Sequence, residues 1–140
     1  MGPQERLTAY IRAIEGKSFE WGRHDCLTFT NGAYRAMHGV GWADDWLDRY
    51  MISGRPMRRR ELMSEFGWSS LEAAIDAKMD RVQFPPRGAL VTTDQAQRWV
   101  TGAALGLCVG TRGVFLAKTG VIYLTLDAIK SAWIPKCLKH

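Results

Sequence analysis

The sequence predicts an α+β domain in which N-terminal helices pack on a C-terminal antiparallel sheet. Up to about residue 80, apolar residues recur at helical spacing between glycines. After the break at residues 85–88, Pro-Pro-Arg-Gly, the segments are short, rich in β-branched residues and bounded by glycine. Helices followed by strands are typical of the α+β class. A chain of 140 residues has the length of one domain, so we expect a single domain over residues 1–140.

Five helical segments are expected in the first half. The first begins at Pro3 and stops at Gly16. Asp25 can cap the second, which runs from Cys26 toward His38. The other three are a short helix over 42–50, a helix opened by residues 53–56 that ends at 67, and a helix over 69–79 opened by a Ser-x-x-Glu capping box.

Five strands are expected in the second half, where β-branched residues alternate with glycine-containing turns. They cover residues 89–93, 103–109, 114–118, 121–124 and 132–134, with a helical turn over 126–130. Consecutive short strands with tight connections favour antiparallel pairing.

The composition of the chain excludes few functions. The formal net charge of +5 could face nucleic acid, an anionic membrane, an acidic glycan or an acidic protein, and the charge does not choose among them. Three cysteines without a CxxC pair favour reduced thiols over a disulfide framework. No apolar run reaches about 20 residues, so we expect no membrane span, and no secretory signal is visible.

The most informative segment ends in a cysteine. Residues 19–26 read Phe-Glu-Trp-Gly-Arg-His-Asp-Cys, which indicates a turn leading into a helix that starts at Cys26. The dipole and free N–H groups of a helix N-terminus favour a thiolate, the nucleophilic form. The alternative is that Cys26 is simply a small buried apolar residue, as free cysteines often are.

Phe-x-Trp-Gly-x-x-Asp-Cys-x-x-Phe, from Phe19 to Phe29, resembles the nucleophile segment of the NlpC-type cell-wall cysteine peptidases. It is most similar to the subgroup in tail-tip gene clusters of tailed phages and gene transfer agents. Residues 87–91 resemble that family's first core strand, with Ala89 in place of its aspartate, and residues 104–110 resemble its His-x-Gly-x-x-x-Gly strand. Residues 132–134 resemble the end of the phage subgroup. The resemblance implies a papain-like NlpC-type fold over most of the chain.

The same resemblance implies that the catalytic pair is incomplete. Cys26 stands at the nucleophile, but the histidine position reads Ala104 and the position that orients the ring falls near Ala117. No histidine occurs between His38 and His140, and His24 lies on the chain entering the helix, the wrong side for a papain-like pair. Cys26 is therefore expected to be a vestigial nucleophile.

We also expect neither a metal nor a cofactor. Residues 24, 26, 108 and 137 supply histidine and cysteine, which are zinc ligand types, but their spacing matches no zinc motif.

A candidate protein interface comes from basic and aromatic residues. Arg55, Arg58 and Arg59 share one side of the expected helix, and Trp99 lies in a polar stretch that looks like a hairpin loop. The alternatives are a solvated arginine face and a tryptophan folded back over the core.

These observations lead to one functional hypothesis and two alternatives. The first is a structural or adaptor component of a phage-like tail tip, or baseplate, made in the host cytoplasm and carried in the virion. Its partners would be the tail hub, the distal-tail protein or the fibre-bearing protein, with peptidoglycan as a further ligand. The alternative is an active cysteine peptidase that cleaves peptidoglycan stem peptides during genome delivery. A nucleic-acid-binding protein is supported by charge alone, because no motif favours it.

Overall fold

The computed structural model describes residues 1–96 and 102–136 of the chain. Helices come first and an antiparallel sheet follows, which confirms the predicted α+β class. The helices of this part are α1 (Pro3–Ile14), α2 (Cys26–His38), α3 (Arg59–Phe66) and α4 (Leu71–Asp76). The strands are β1 (Met51–Ile52), β2 (Arg55–Pro56), β3 (Met79–Val82), β4 (Leu90–Thr93), β5 (Ala104–Cys108), β6 (Arg112–Ala117), β7 (Gly120–Thr125) and β8 (Ser131–Pro135). Within these residues no helix is long and apolar enough to cross a bilayer.

In the described residues, the main sheet has six antiparallel strands in the order β3-β8-β4-β5-β6-β7. Strand β8, which follows the others in the sequence, is therefore inserted between β3 and β4. The register places Leu90 opposite both Trp133 and Leu107, and Leu107 opposite Val114. These four side chains form an apolar row across the middle of the sheet, because residues opposite each other point to the same face.

The two faces of the sheet belong to different apolar clusters. The row that contains Leu107 and Trp133 packs with the helices in the main core, where α2 lies on β5. Alternate residues, such as Val91 and Phe115, form a smaller cluster on the other face. The period of two along each strand produces this division. As a result, the N-terminus of α2 faces only one side of β5.

Helix α2 has the ends that its sequence predicts. Asp25, in an extended conformation, accepts hydrogen bonds from the amides of Leu27 and Thr28, and the Thr28 hydroxyl accepts one from the Asp25 amide. Gly39 ends the helix with φ of 84°, a left-handed conformation that glycine adopts without steric cost. The Asp25 cap therefore makes Cys26 the first residue of α2.

Two expected helices of the first half differ from the structure. Over 42–50 only a 3₁₀ turn forms, at Asp44–Trp46, because Asn31 of α2 hydrogen-bonds both the Ala43 amide and the Asp44 carboxylate. The helix expected from residue 53 begins only at Arg59. Residues 51–56 instead form the β1–β2 hairpin, whose turn residues Ser53 and Gly54 both have positive φ.

The helix expected over 69–79 is also shorter than predicted. Ser70, not Ser69, caps α4, and the helix ends at Asp76. Met79 already belongs to β3, where it pairs with Pro135 of β8. The sequence pattern missed this strand because its partner lies more than 50 residues away. The strands expected after residue 88 are found within two residues of their predicted ends.

Gly106 lies at the closest approach of β5 and β6. A Cβ added there would overlap the Val114 carbonyl oxygen and the ring of Phe115. The Phe115 ring is fully buried, so it cannot move outward to make room. Gly106 therefore allows the ring to lie across β5.

We predict that Gly106→Ala destabilises the protein by about 2 kcal/mol or more, because overpacking a buried site forces backbone and ring to shift. Gly16→Ala is the matched control, since nothing lies within 4 Å of a Cβ at Gly16. Urea denaturation followed by circular dichroism measures both. Equal stability of the two variants would contradict this account of Gly106.

Candidate functional site

The N-terminus of α2 is organised by the carboxylate of Asp25, which is fully buried. One oxygen accepts hydrogen bonds from the amides of Leu27 and Thr28, both at 2.9 Å. The other accepts from the Gly22 amide at 2.7 Å and from the Tyr50 hydroxyl at 2.5 Å. Four donors satisfy this buried charge, and together they join the turn, the helix and the segment around Tyr50.

Cys26 follows as the first residue of α2, and its side chain is only 1% exposed. Burial is the main cause that raises the pKa of the Cys26 thiol to about 12, and the negative charge of Asp25 acts in the same direction. The backbone amides of Leu105, Cys26 and Leu27 act in the opposite direction, because they would stabilise a thiolate. Loss of hydration outweighs these amides, so the thiol is protonated at neutral pH.

Tyr50 and Met51, which follow the 3₁₀ turn, lie against the N-terminus of α2 and the turn before it. Tyr50 is 1% exposed and donates its hydroxyl hydrogen to Asp25. Burial raises the Tyr50 pKa, and the negative charge of Asp25 raises it further, so the phenol stays neutral. Next to it, the Met51 side chain lies against Gly22. Cys26 therefore lies below the surface rather than in an open cleft.

The nearby histidines do not serve Cys26. His24 lies on the turn before α2, edge-on to Phe29, and its Nε2 has no hydrogen-bond partner among the described residues. Burial lowers the His24 pKa, with Lys17 adding to the effect and Asp25 opposing it. His38 lies at the far end of α2, against Tyr34. Among the described residues, no hydrogen bond joins an imidazole to the Cys26 thiol. His140 lies outside those residues.

Ala104 lies on the opposite face of the sheet from Cys26. Leu105 belongs to the main core with Cys26, and Ala103 packs against that core. Ala104 belongs to the second cluster. The expectation that Ala104 stands where an imidazole would reach the thiol is therefore wrong, because alternation along β5 turns its side chain away. Ala117, at the end of β6, is another residue without a polar side chain.

The second cysteine of the described residues, Cys108, is separate from Cys26. Cys108 is buried in the second cluster, and its Sγ lies 3.6 Å from the Pro85 carbonyl oxygen. Cys26 and Cys108 thus lie on opposite faces of the sheet. Residues 1–96 and 102–136 contain no group of three His, Cys, Asp or Glu side chains that could hold a metal ion.

The profile of one protein family, described as a domain of unknown function, matches residues 2–134. The chain belongs to the DUF6950 family. The matched range extends from α1 into β8, so it includes both Cys26 and the strands that cover it. No curated protein matches the sequence.

The predicted basic surface is not one side of a helix. Arg55 lies in β2, where its guanidinium binds both carboxylate oxygens of Glu61, at 2.8 and 2.9 Å. This contact lowers the pKa of Glu61 to about 2. Arg58 is the N-cap of α3 and Arg59 is its first residue, and both are exposed. The helix placement of Arg55 is wrong because the Ser-Gly turn forms a hairpin. Trp99 lies outside the described residues.

Sequence reasoning missed the most exposed aromatic residue of the described chain. Phe84 is 82% exposed and borders a groove of about 460 Å³ over the second face of the sheet. Leu126, 42% exposed, lies on its other side. The remaining lining residues are Arg81, Val82, Gln83, Pro85, Asp127, Ile129, Lys130, Ser131 and Ala132. An apolar residue before the Pro-Pro pair was the available signal, since the backbone before a proline is restricted.

We predict that stability falls at alkaline pH through Cys26. The unfolded thiol ionises near pH 8.5, whereas the folded thiol does so only near 12. Above pH 8.5 the unfolded state therefore binds fewer protons and is favoured. The free energy of unfolding should fall by up to about 1.4 kcal/mol per pH unit from this group, and Cys26→Ala should remove that component.

Urea denaturation between pH 7 and 10 measures this effect, up to the pH at which unfolded tyrosines begin to ionise. Cys26→Ala lowers stability at pH 7 because it leaves a small cavity, so the comparison is between slopes. Parallel pH profiles for the wild type and the variant would show that Cys26 ionises normally in the folded protein.

Proposed function

We propose that this chain is a non-catalytic adaptor of a phage-like tail tip, built on a degenerate NlpC-type, papain-like fold. The observation that carries the proposal is the burial of Cys26, which stands at the nucleophile position of the peptidases that the sequence resembles. Its side chain is 1% exposed and its pKa is raised to about 12. Helices followed by an antiparallel sheet, with a cysteine opening a helix against the second strand of the hairpin β4–β5, agree with that family's fold.

The chemistry of a cysteine peptidase needs a thiolate that a substrate can reach. With a pKa of about 12, roughly one thiol in 10⁵ is ionised at pH 7. The Cys26 side chain is 1% exposed, so a scissile carbonyl has no open path to the sulfur in this structure. The backbone amides of Leu105 and Leu27 are placed to stabilise a thiolate, as at an activated cysteine, but they do not lower the thiol pKa enough to ionise it. This favours loss of catalysis on a retained scaffold.

Cys26→Ala distinguishes the adaptor from the active peptidase. The adaptor predicts that particles carrying the variant assemble and deliver their genome as the wild type does, because the thiol has only a packing role. The purified domain should likewise release no stem peptides from peptidoglycan fragments. The substitution removes one sulfur from the core and should leave the fold intact, which circular dichroism can check.

The opposite result has a clear form. If Cys26→Ala particles contain the protein in normal amount but fail in delivery, and the wild-type domain cleaves peptidoglycan in a Cys26-dependent way, the chain is an enzyme. The raised thiol pKa would then have to fall when the substrate binds.

The groove beside Phe84 is the apolar surface best suited to a tail-tip neighbour. Phe84 stands free of the core, and the following Pro85-Pro86 pair restricts its backbone, so little conformational freedom remains to be lost on binding. Aromatic residues next to a pocket are frequent interface hot spots. Arg81 and Lys130 at the groove are engaged with Asp76 and Asp94, which leaves the apolar part of the groove for the partner.

We predict that Phe84→Ser lowers incorporation of the protein into tail tips at least tenfold, since loss of a central aromatic anchor costs about 2 kcal/mol. Val40→Ser is the matched control, because Val40 is 66% exposed and lies away from the groove. Quantitative immunoblots of purified particles measure incorporation. Equal incorporation of the two variants would move the contact surface elsewhere.

The sequence-based interface residues stay a prediction at Arg58, Arg59 and Trp99. Arg55 contributes less than expected, because its charge is already paired with Glu61. Binding of the domain to DNA at moderate salt would favour the nucleic-acid alternative, which rests on charge alone.

A further inference from the structure

A second cleft, of about 220 Å³, lies between α1 and the ends of β6 and β7. Its lining combines one end of the helix with the edge of the sheet. The residues are Thr8, Ile11, Arg12, Glu15, Arg87, Val109, Arg112 and Tyr123. Three arginines from three distant parts of the chain therefore meet one carboxylate at this place.

None of the three arginines forms an ion pair with a described residue. Arg87 donates to two neutral oxygens, the Val109 carbonyl at 2.9 Å and the Thr8 hydroxyl at 2.6 Å. The Arg112 guanidinium lies over the ring of Tyr123, 5.1 Å from its centre. Other arginines of the described residues do form ion pairs, for example Arg55 with Glu61 and Arg81 with Asp76. The positive charge of these three arginines is therefore not paired with a carboxylate of the described residues.

The arrangement suits a bound carboxylate. Three positive charges and the single negative charge of Glu15 leave a net charge of about +2 in a concave site, which attracts an anion. Guanidinium groups bind carboxylates through two parallel hydrogen bonds. The contacts to Thr8 and Val109 hold Arg87 in place before the ligand arrives, so little ordering is lost at that residue.

The other features of the cleft favour a protein ligand. Val109 and Tyr123 offer apolar surface to the methylene groups of an acidic side chain. The volume accommodates a side chain but not a run of nucleotides. Strand β7 is one of the two edge strands of the main sheet in the described chain, and its Val121 amide donates to the Glu15 carbonyl, so an extended segment can lie beside the rest of the strand. A polyanion would also face Glu15, which disfavours phosphate chains.

We propose that this cleft binds an acidic side chain of an extended segment in a partner protein, with Arg12, Arg87 and Arg112 as the carboxylate-binding residues. This goes beyond the adaptor role, because it does not depend on a tail tip and lies away from both Cys26 and Phe84. It assigns a site to residues that no motif in the sequence brings together.

Titration of the full chain with a capped decapeptide of alternating Glu and Val tests the proposal. The matched probe carries Gln in place of Glu, and inorganic phosphate and a ten-nucleotide single strand serve as further probes. We expect the Glu peptide to bind at least tenfold more tightly than the Gln peptide. Arg12→Gln and Arg112→Gln should each weaken binding about tenfold, since each removes a charge-assisted contact.

Arg60→Gln is the control for net charge, because Arg60 is exposed and lies on α3. It should change the affinity by less than about twofold. Arg12 and Arg112 are exposed as well, so their variants should stay folded, and the NMR shifts of the Val121–Tyr123 amides report the binding place. No binding of the Glu peptide at about 1 mM, or equal losses in Arg60→Gln and Arg112→Gln, would overturn the proposal. Tighter binding of phosphate or of the nucleotide strand would overturn the assignment to a protein carboxylate.

Discussion

The buried carboxylate of Asp25 is the interaction on which the rest of the site depends. It caps α2 through two amides, closes the preceding turn through the Gly22 amide, and holds Tyr50 in place through its hydroxyl. The four donors come from three segments, which are the first turn of α2, the turn that precedes it and the segment at Tyr50. An unpaired charge at a fully buried position would be strongly destabilising, so all four contacts have to form together.

The same carboxylate influences the chemistry of its neighbour. A helix N-terminus favours a thiolate, but at Cys26 this effect competes with burial and with the negative charge of Asp25. Burial in the main core is the largest of the three. The hydrogen bond from Tyr50 to the capping carboxylate also holds the Tyr50 ring near the thiol. In this molecule, the stability of the N-terminus of α2 and the reactivity of Cys26 oppose each other.

Local chemistry allowed the sequence to predict α2, its aspartate cap and its glycine stop, because all three depend on residues within a few positions. The strands after residue 88 were predictable for the same reason. The hairpin at 51–56 was missed, since Arg55-Pro56 before a basic stretch resembles a helix start. Strand β3 was missed because only its pairing with β8 defines it.

The candidate sites show the same limit. The sequence placed Cys26 at a helix N-terminus, but its burial depends on residues far along the chain that share the main core, such as Leu105 of β5. The face of β5 to which Ala104 points depends on how the strand alternates against α2, which a motif match cannot determine. Arg12, Arg87 and Arg112 come together only in the folded chain.

Some basic side chains of the described residues have a carboxylate partner and others have none. Eight ion pairs in the described residues occupy carboxylates such as Glu61, Asp76 and Asp94. Since basic residues outnumber acidic ones by 19 to 14, the guanidinium groups left without a carboxylate determine where the net charge of +5 acts. Among the described residues these groups include the arginines at the start of α3, the three arginines of the cleft beside β7, and Arg6 of α1, which donates to backbone carbonyls of α2. Charged residues near a concave surface act on a partner far more than an equal charge distributed over the whole molecule, because the low-dielectric walls focus the field. The positions of the unpaired arginines in the fold are therefore more informative about partners than the net charge of the chain.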